Sequence, residues 1–191
     1  MAVLSLKNKS KQSFLTAPSG IDLGAMIPLS TVTVDSGGAA NAEFTNIPAY
    51  YEHLQVRALT KCSNADLTVR AQFNSDTSTN YATHYIEANG SAVSAGALAS
   101  TTYLMVGVAA SGTAGQVGGF VLDILDYCNT NKYKTTRTLS GCDNNGSGYV
   151  WPASGLWMNT NAITSIKIFP ASGTFQQYAS FALYGIKRAG V

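Results

Sequence analysis

Charge is scarce in this chain: Asp, Glu, Lys and Arg make up 12% of its 191 residues, against the ~25% usual in a globular domain. The surface is therefore built largely from Ser, Thr, Asn, Gly and Ala. Such a surface lacks the repulsion that keeps monomers apart and suits a protein packed against copies of itself or other subunits. Histidine is nearly absent. His53 and His84 each open a strand-like run, where a surface imidazole is the ordinary finding. No G-x-S-x-G, H-E-x-x-H, G-x-x-x-x-G-K-[ST] or G-x-G-x-x-G occurs, so the reading is not an enzyme. The three cysteines, Cys62, Cys128 and Cys142, are odd in number and lack metal-ligand spacing. Cys128 and Cys142 flank the run Lys132 to Leu139, which when extended holds them about 25 Å apart, beyond disulfide reach; free thiols are expected, with no metal and no cofactor. No apolar run approaches the ~18 residues of a membrane span. MAVLSLKNKSKQ has no long apolar core of a secretory signal, so folding in the cytoplasm where the chain is made is expected.

What is present is β-signal. Between Phe44 and Tyr81, His53 to Thr60 offers Leu54, Val56 and Ala58 on one face, and Leu67 to Phe73 alternates strictly, with Leu67, Val69, Ala71 and Phe73 against Thr68, Arg70 and Gln72. The polar link LTKCSNAD between them predicts an antiparallel hairpin. Leu29 to Val34 precedes this unit as the first body strand. His84 to Asn89 follows it, closed by the turn dipeptide Asn89-Gly90. Ser91 to Thr102, rich in Ser, Ala and Gly, reads as a long surface loop. Tyr103 to Val108 is apolar throughout and predicts burial on both faces or cover by a subunit. Phe120 to Tyr127 is the most apolar strand. In Tyr133 to Leu139 the threonines and basic residues mark an exposed face. GCDNNGSG is a second polar loop, Ile163 to Phe169 alternates with Ile166 and Ile168 opposite Ser165 and Lys167, and Ser180 to Ile186 completes the set. Roughly nine or ten short strands with Gly, Asn and Ser turns and no convincing helix predict an all-β antiparallel sandwich of jelly-roll type spanning residues 29–191.

Residues 1–28 differ from this body. Lys7, Lys9 and Lys11 against Asp22 give them a formal +2, while residues 31–191 balance at nine basic and nine acidic. Pro18, Gly20, Gly24 and Pro28 punctuate the segment, and Phe14, Leu15, Ile21 and Leu23 make it more apolar than disorder usually tolerates. It reads as an extended arm that docks on a partner through those four apolar residues, with the three lysines facing acidic groups. Without interleaved aromatics or a basic patch elsewhere, nucleic acid is not the expected partner.

Chemistry-bearing groups are few. Asp123 and Asp126, three apart on a strand, point to opposite faces and cannot jointly flank one bond. Asn74, Asp76 and Asn80 lack calcium-loop spacing and read as turn formers. Tyr149, Trp151 and Trp157, beside the Asn-rich loop 142–148, are candidates for a glycan platform, or for core or subunit contact.

The pattern Phe44, Ile47-Pro48, Tyr51, Leu54-Gln55-Val56-Arg57, then Phe73-Asn74, Asp76, Asn80-Tyr81, then SFALYGI at Ser180 to Ile186, resembles small β-sandwich virion proteins of tailed bacteriophages. The resemblance covers roughly residues 30 to 187. It implies a structural protein located in the virion: a tail-fibre or comparable appendage component active in host attachment, or a capsid decoration (cement) protein. It also implies a homo-oligomer, with a trimer favoured, attached through its arm to a tail, baseplate or major capsid protein. A host surface glycan is a further candidate partner, and a free lectin-like module is the alternative outside the virion.

Overall fold

Apolar and polar residues alternate along most strands, and each strand turns its apolar phase to one interior. The computed structural model describes residues 24–64, 67–111 and 115–188. In chain order its strands are β1 (Met26–Thr33), β2 (Ala42–Phe44), β3 (His53–Cys62), β4 (Thr68–Phe73), β5 (Tyr81–Ala88), β6 (Val93–Thr101) and β7 (Leu104–Val108). There follow β8 (Ala110–Ser111), β9 (Gly118–Leu125), β10 (Lys134–Asp143), β11 (Gly148–Trp157), β12 (Ile166–Pro170) and β13 (Ser180–Ile186). They form two antiparallel sheets of unequal size. The large sheet runs β1-β13-β3-β9-β10-β11-β5-β6, with β8 added in parallel to the end of β3, and the small sheet runs β2-β12-β4-β7.

The inward phases close one core between the sheets. Leu54 and Val56 of β3, Leu122 and Ile124 of β9, and Phe181 and Leu183 of β13 meet Val69, Ala71 and Phe73 of β4, Leu104 and Val106 of β7, and Ile166 and Ile168 of β12. Each Val, Leu, Ile or Phe among them contributes about 1.5–3 kcal/mol by leaving water. At one end Trp157 stacks on Tyr81 at 6.3 Å and meets Phe73 edge-on at 5.6 Å. A second, smaller cluster forms around Trp151, with Val108, Ala110 and Cys142 buried beside it and the Tyr85 ring tilted against it at 5.2 Å.

Every buried polar side chain among the described residues lies on the inward face of the large sheet: Thr60, Thr83, Lys134, Thr136, Thr138 and Ser140. Three of these hydroxyls serve β7, an edge strand of the small sheet. Ser140 Oγ accepts the Val108 N–H at 2.9 Å, Thr60 Oγ1 donates to the Val108 carbonyl at 3.1 Å, and Thr83 Oγ1 accepts the Met105 N–H at 3.2 Å. They supply the bonds that a neighbouring strand would otherwise give, which a buried backbone requires. Tyr103 to Val108 is thus covered by the chain's own large sheet.

Several expectations are corrected. β3 and β4 are not a hairpin: they lie in different sheets, because their connection crosses the sandwich and both apolar phases face the same core. Ser91 to Thr102 is not a loop. Its residues have low strand propensity, but the Asn89-Gly90 turn folds them back on β5 as β6, in register from Ala88↔Val93 to Thr83↔Leu98. The threonines of β10 are not all outward, since Thr136 and Thr138 are buried and Lys134 fully so. The Lys134 ammonium donates to the carbonyls of Asn129 (2.7 Å), Lys132 (3.1 Å) and Thr160 (3.0 Å), tying two loops together. β1 begins at Met26, which pairs with Ile186, so the body starts before Leu29. GCDNNGSG shrinks to the turn at 144–147, its flanks being the ends of β10 and β11. Cys62, Cys128 and Cys142 form no disulfide.

Candidate functional site

The outward face of the large sheet divides into a polar band and an apolar field. The polar band follows one cross-strand row, Tyr184–Gln55–Asp123–Arg137–Ser154–His84. Gln55 Nε2 donates to Asp123 Oδ1 at 2.7 Å, Arg57 Nε donates to Gln55 Oε1 at 2.8 Å, and the Arg57 guanidinium lies 5.8 Å from the Tyr184 ring centre.

The apolar field occupies the next two rows. One is Ala182–Arg57–Val121–Leu139–Pro152, and the other is Ser180–Leu59–Gly119–Gly141–Val150–Ala88–Val93. Gly119 and Gly141 face each other in register and put no side chain on the surface, so they floor an open trough of about 660 Å³ walled by Leu59, Val121, Leu139 and Val150. Alanine is excluded at Gly141, where a Cβ would sit 2.8 Å from the Tyr149 carbonyl oxygen. Leu139 is 62% exposed, Val150 58% and Leu59 51%. Among the described residues, Arg57 at the rim is the only ionisable side chain lining the trough. The site can therefore cover apolar surface; its polar side chains are Arg57 and the hydroxyls of Ser140 and Ser180.

Other residues with chemical potential have structural roles. Asp76 gathers the Ser78 N–H (2.9 Å), Asn80 Nδ2 (3.0 Å) and Trp157 Nε1 (2.8 Å). Burial alone would raise its pKa, but these hydrogen bonds prevail and hold the carboxyl at about 2. Asn74 Oδ1 accepts the N–H groups of Thr164 and Ser165 while its Nδ2 donates to Ala162, stitching the turn after β4 to the segment before β12. Glu52, His53 and Asp126 bring potential ligand atoms within 4.8 Å of one another. Cations of the chain already attend the group: Lys132 pairs with Asp126 and Arg188 lies 3.8 Å from Glu52. His53 Nδ1 accepts the Asp126 N–H at 2.9 Å, which occupies that nitrogen's lone pair. The arrangement fits a pinned turn rather than a metal centre. Asp123 and Asp126 do not converge: the first lies in the polar band and the second in this turn.

Of the readings open for Tyr149, Trp151 and Trp157, core contact is the one found at both tryptophans. Trp157 is 0% and Trp151 1% exposed, so neither offers a ring face to a sugar, and Tyr149 is a half-buried neighbour of Trp151. The docking residues Lys7, Lys9, Lys11, Phe14, Leu15, Ile21 and Leu23 lie outside the described residues. Leu59, Leu139 and Val150 were missed by sequence reasoning. The available signal was phase: Leu139 shares its face with Thr135 and Arg137, opposite the phase of Lys134, Thr136, Thr138 and Ser140. Comparison of the chain with protein-family models, with curated proteins and with solved structures finds no match in any of the three.

Proposed function

We propose that this chain is a structural subunit of a bacteriophage virion, a tail-fibre or comparable appendage component that works by packing against other protein subunits. The observation that carries a packing role is the apolar field around Gly119 and Gly141, where Leu59, Leu139 and Val150 stand more than half exposed on a chain that is 12% charged. A contiguous apolar surface of this kind marks an interaction site, and a described lining whose one ionisable side chain is Arg57 at the rim suits a lasting contact better than chemistry. The virion assignment itself is supported by the resemblance of Phe44 to Arg57, Phe73 to Tyr81 and Ser180 to Ile186 to small phage β-sandwich proteins. Attachment through the N-terminal segment is part of the proposal. The segment to remove in testing it is 1–23, because Met26, Ile27 and Pro28 pair with β13.

Locating the protein in purified particles with a labelled antibody tests the reading. Label on the tail or its appendages is the expected result. Label spread over the head would replace the appendage role with capsid decoration, and absence from particles would overturn both. A free lectin-like role has lost its main support through the burial of Trp151 and Trp157.

A further inference from the structure

Among the described residues β1 and β6 end the strand order of the large sheet and β2 and β7 that of the small one, and three of these four are protected. β1 carries Pro28 and a register shift between Pro28 and Ser30, which spoil a regular ladder. β2 is three residues long. β7 is buried, with outward backbone groups satisfied by Ser140, Thr60 and Thr83. β6 has none of these devices. It is nine residues long, reads VSAGALAST without charge or proline, and is exposed along most of its length.

The bonding phase of β6 follows from its turn. The Asn89 N–H bonds to the Ala92 carbonyl, so the bonded pairs with β5 are Glu87↔Ser94, Tyr85↔Gly96 and Thr83↔Leu98. Val93, Ala95 and Ala97 occupy the alternate positions, and their N–H and C=O groups point away from the sheet. Val93 to Leu98 is the regular part. Beyond it the register shifts between Tyr81 and Thr83, and Ser100 takes a positive φ of 55°.

We infer that β6 is a self-association edge, pairing antiparallel with β6 of a second copy about a two-fold axis at Ala95. The regular segment is complementary to itself in that register. Ala95 faces Ala95, Val93 faces Ala97, and Ser94 faces Gly96, so each opposed pair is small and uncharged. Each of Val93, Ala95 and Ala97 exchanges both outward backbone groups, and a two-fold contact uses one patch twice and closes. Gly96 is fixed from within its own chain by the Tyr85 ring, which a Cβ there would meet at 2.5 Å. That ring supports the strand on the face opposite Val93, Ala95 and Ala97. Pairing also carries the row Ile86–Ala95 across the axis to its own copy, while Val93, at the end of the row Leu59–Gly119–Gly141–Val150–Ala88, meets Ala97 of the second copy, whose row leads through His84 into the polar band. The inference stands on the edge strand and does not rest on the virion assignment.

The test is sedimentation of the full chain at high micromolar concentration, beside Ala95→Pro and Ala97→Lys. The Ala95 N–H points away from β5, so proline removes no bond within the chain, and Ala97→Lys places one charge at the edge. The expected result is a wild-type mass of two 20.0 kDa chains and a monomer for both variants, with unchanged circular dichroism. Amide exchange gives a second reading: the N–H groups of Val93, Ala95 and Ala97 should slow as concentration rises, while those of Ser94 and Gly96 stay protected throughout. A wild-type monomer, a three-chain mass, a dimer retained in Ala95→Pro, or a dimer abolished by removing residues 1–23 but not by Ala95→Pro would each overturn the inference.

Discussion

The two faces of the large sheet invert the usual rule along β10 and its neighbours. Inward stand Thr60, Thr83, Lys134, Thr136, Thr138 and Ser140, and outward stand Leu59, Ile86, Val93, Leu139 and Val150. The difference lies in what each face has to bond. The inward hydroxyls of Thr60, Thr83 and Ser140 meet an edge strand with free amides and carbonyls, and Lys134 meets three loop carbonyls, so polarity there orients the small sheet on the large one. The outward apolar groups have no such counterpart among the described residues. Any cover for them comes from outside those residues, and burial by a partner would be worth roughly 25 cal/mol for each Å² of apolar surface removed from water.

The strongest way to break the inward side is Lys134→Met. The substitution keeps the aliphatic stem and leaves the carbonyls of Asn129, Lys132 and Thr160 without their donor. A loss of about 3 kcal/mol is expected, lowering Tm by about 6–12 °C for a domain of this size. Denaturant titration measures it directly, and a cost below about 1 kcal/mol would mean that water replaces the ammonium.

Ser140→Ala comes next. It strips the Val108 N–H of its acceptor and the Gly119 carbonyl of a donor at 3.0 Å. One buried, unsatisfied amide costs about 1–3 kcal/mol. Because the bond joins the sheets, exchange of the β7 amides should accelerate before global unfolding does.

Asp76 gives a smaller effect with a defined pH window. Its folded pKa of about 2 lies below the unfolded value of ~3.9. The stabilisation is therefore complete above that unfolded value and is lost as pH falls towards about 2. Solvent screening at this half-exposed carboxyl keeps the amount on the order of 1 kcal/mol. Asp76→Asn should flatten that part of the acid-unfolding curve, and an unchanged curve would show that the acceptors of Trp157 and Asn80 do not need charge.

Much of the fold was legible because alternation is a local signal. Val69, Ala71 and Phe73 were placed inward by their phase alone, as were Ile166 and Ile168, and all lie in the core. Pairing was not legible. Leu54 to Ala58 and Val69 to Phe73 have the same phase whether they neighbour each other or face each other across the sandwich, and a polar link of a few residues serves both geometries. β6 was hidden because Ala, Ser and Gly specify a strand only once a turn and a partner are in place. β10 was misread for a different reason. Its two phases are Lys-Thr-Thr-Ser and Thr-Arg-Leu, neither clearly apolar, and the choice is made by β7, whose free backbone groups select the hydroxyl-bearing face. Leu139 stands outside because Ser140 is needed inside.

Leu139→Glu should have the least effect on the isolated fold and is the sharpest probe of the outward face. Leu139 is 62% exposed, and its neighbours across the strands are Val121 and Pro152. A glutamate there keeps water at its carboxylate, loses little packing and meets no fixed acidic group in its row, so stability should stay within about 0.5 kcal/mol of the parent. In an assembly the same carboxylate would enter the trough beside Leu59, Val121 and Val150, where desolvating an unpaired charge costs several kcal/mol. The variant should therefore unfold like the parent yet fail to join particles. Thr135→Glu, on the same face of β10 but beside the polar band, should join normally. If Leu139→Glu is incorporated as well as Thr135→Glu, the apolar field is solvent-facing in the assembled state and the contact lies elsewhere. If it loses several kcal/mol as a free chain, the field is already covered by the chain itself, and residues 1–23 are the segment to examine by truncation.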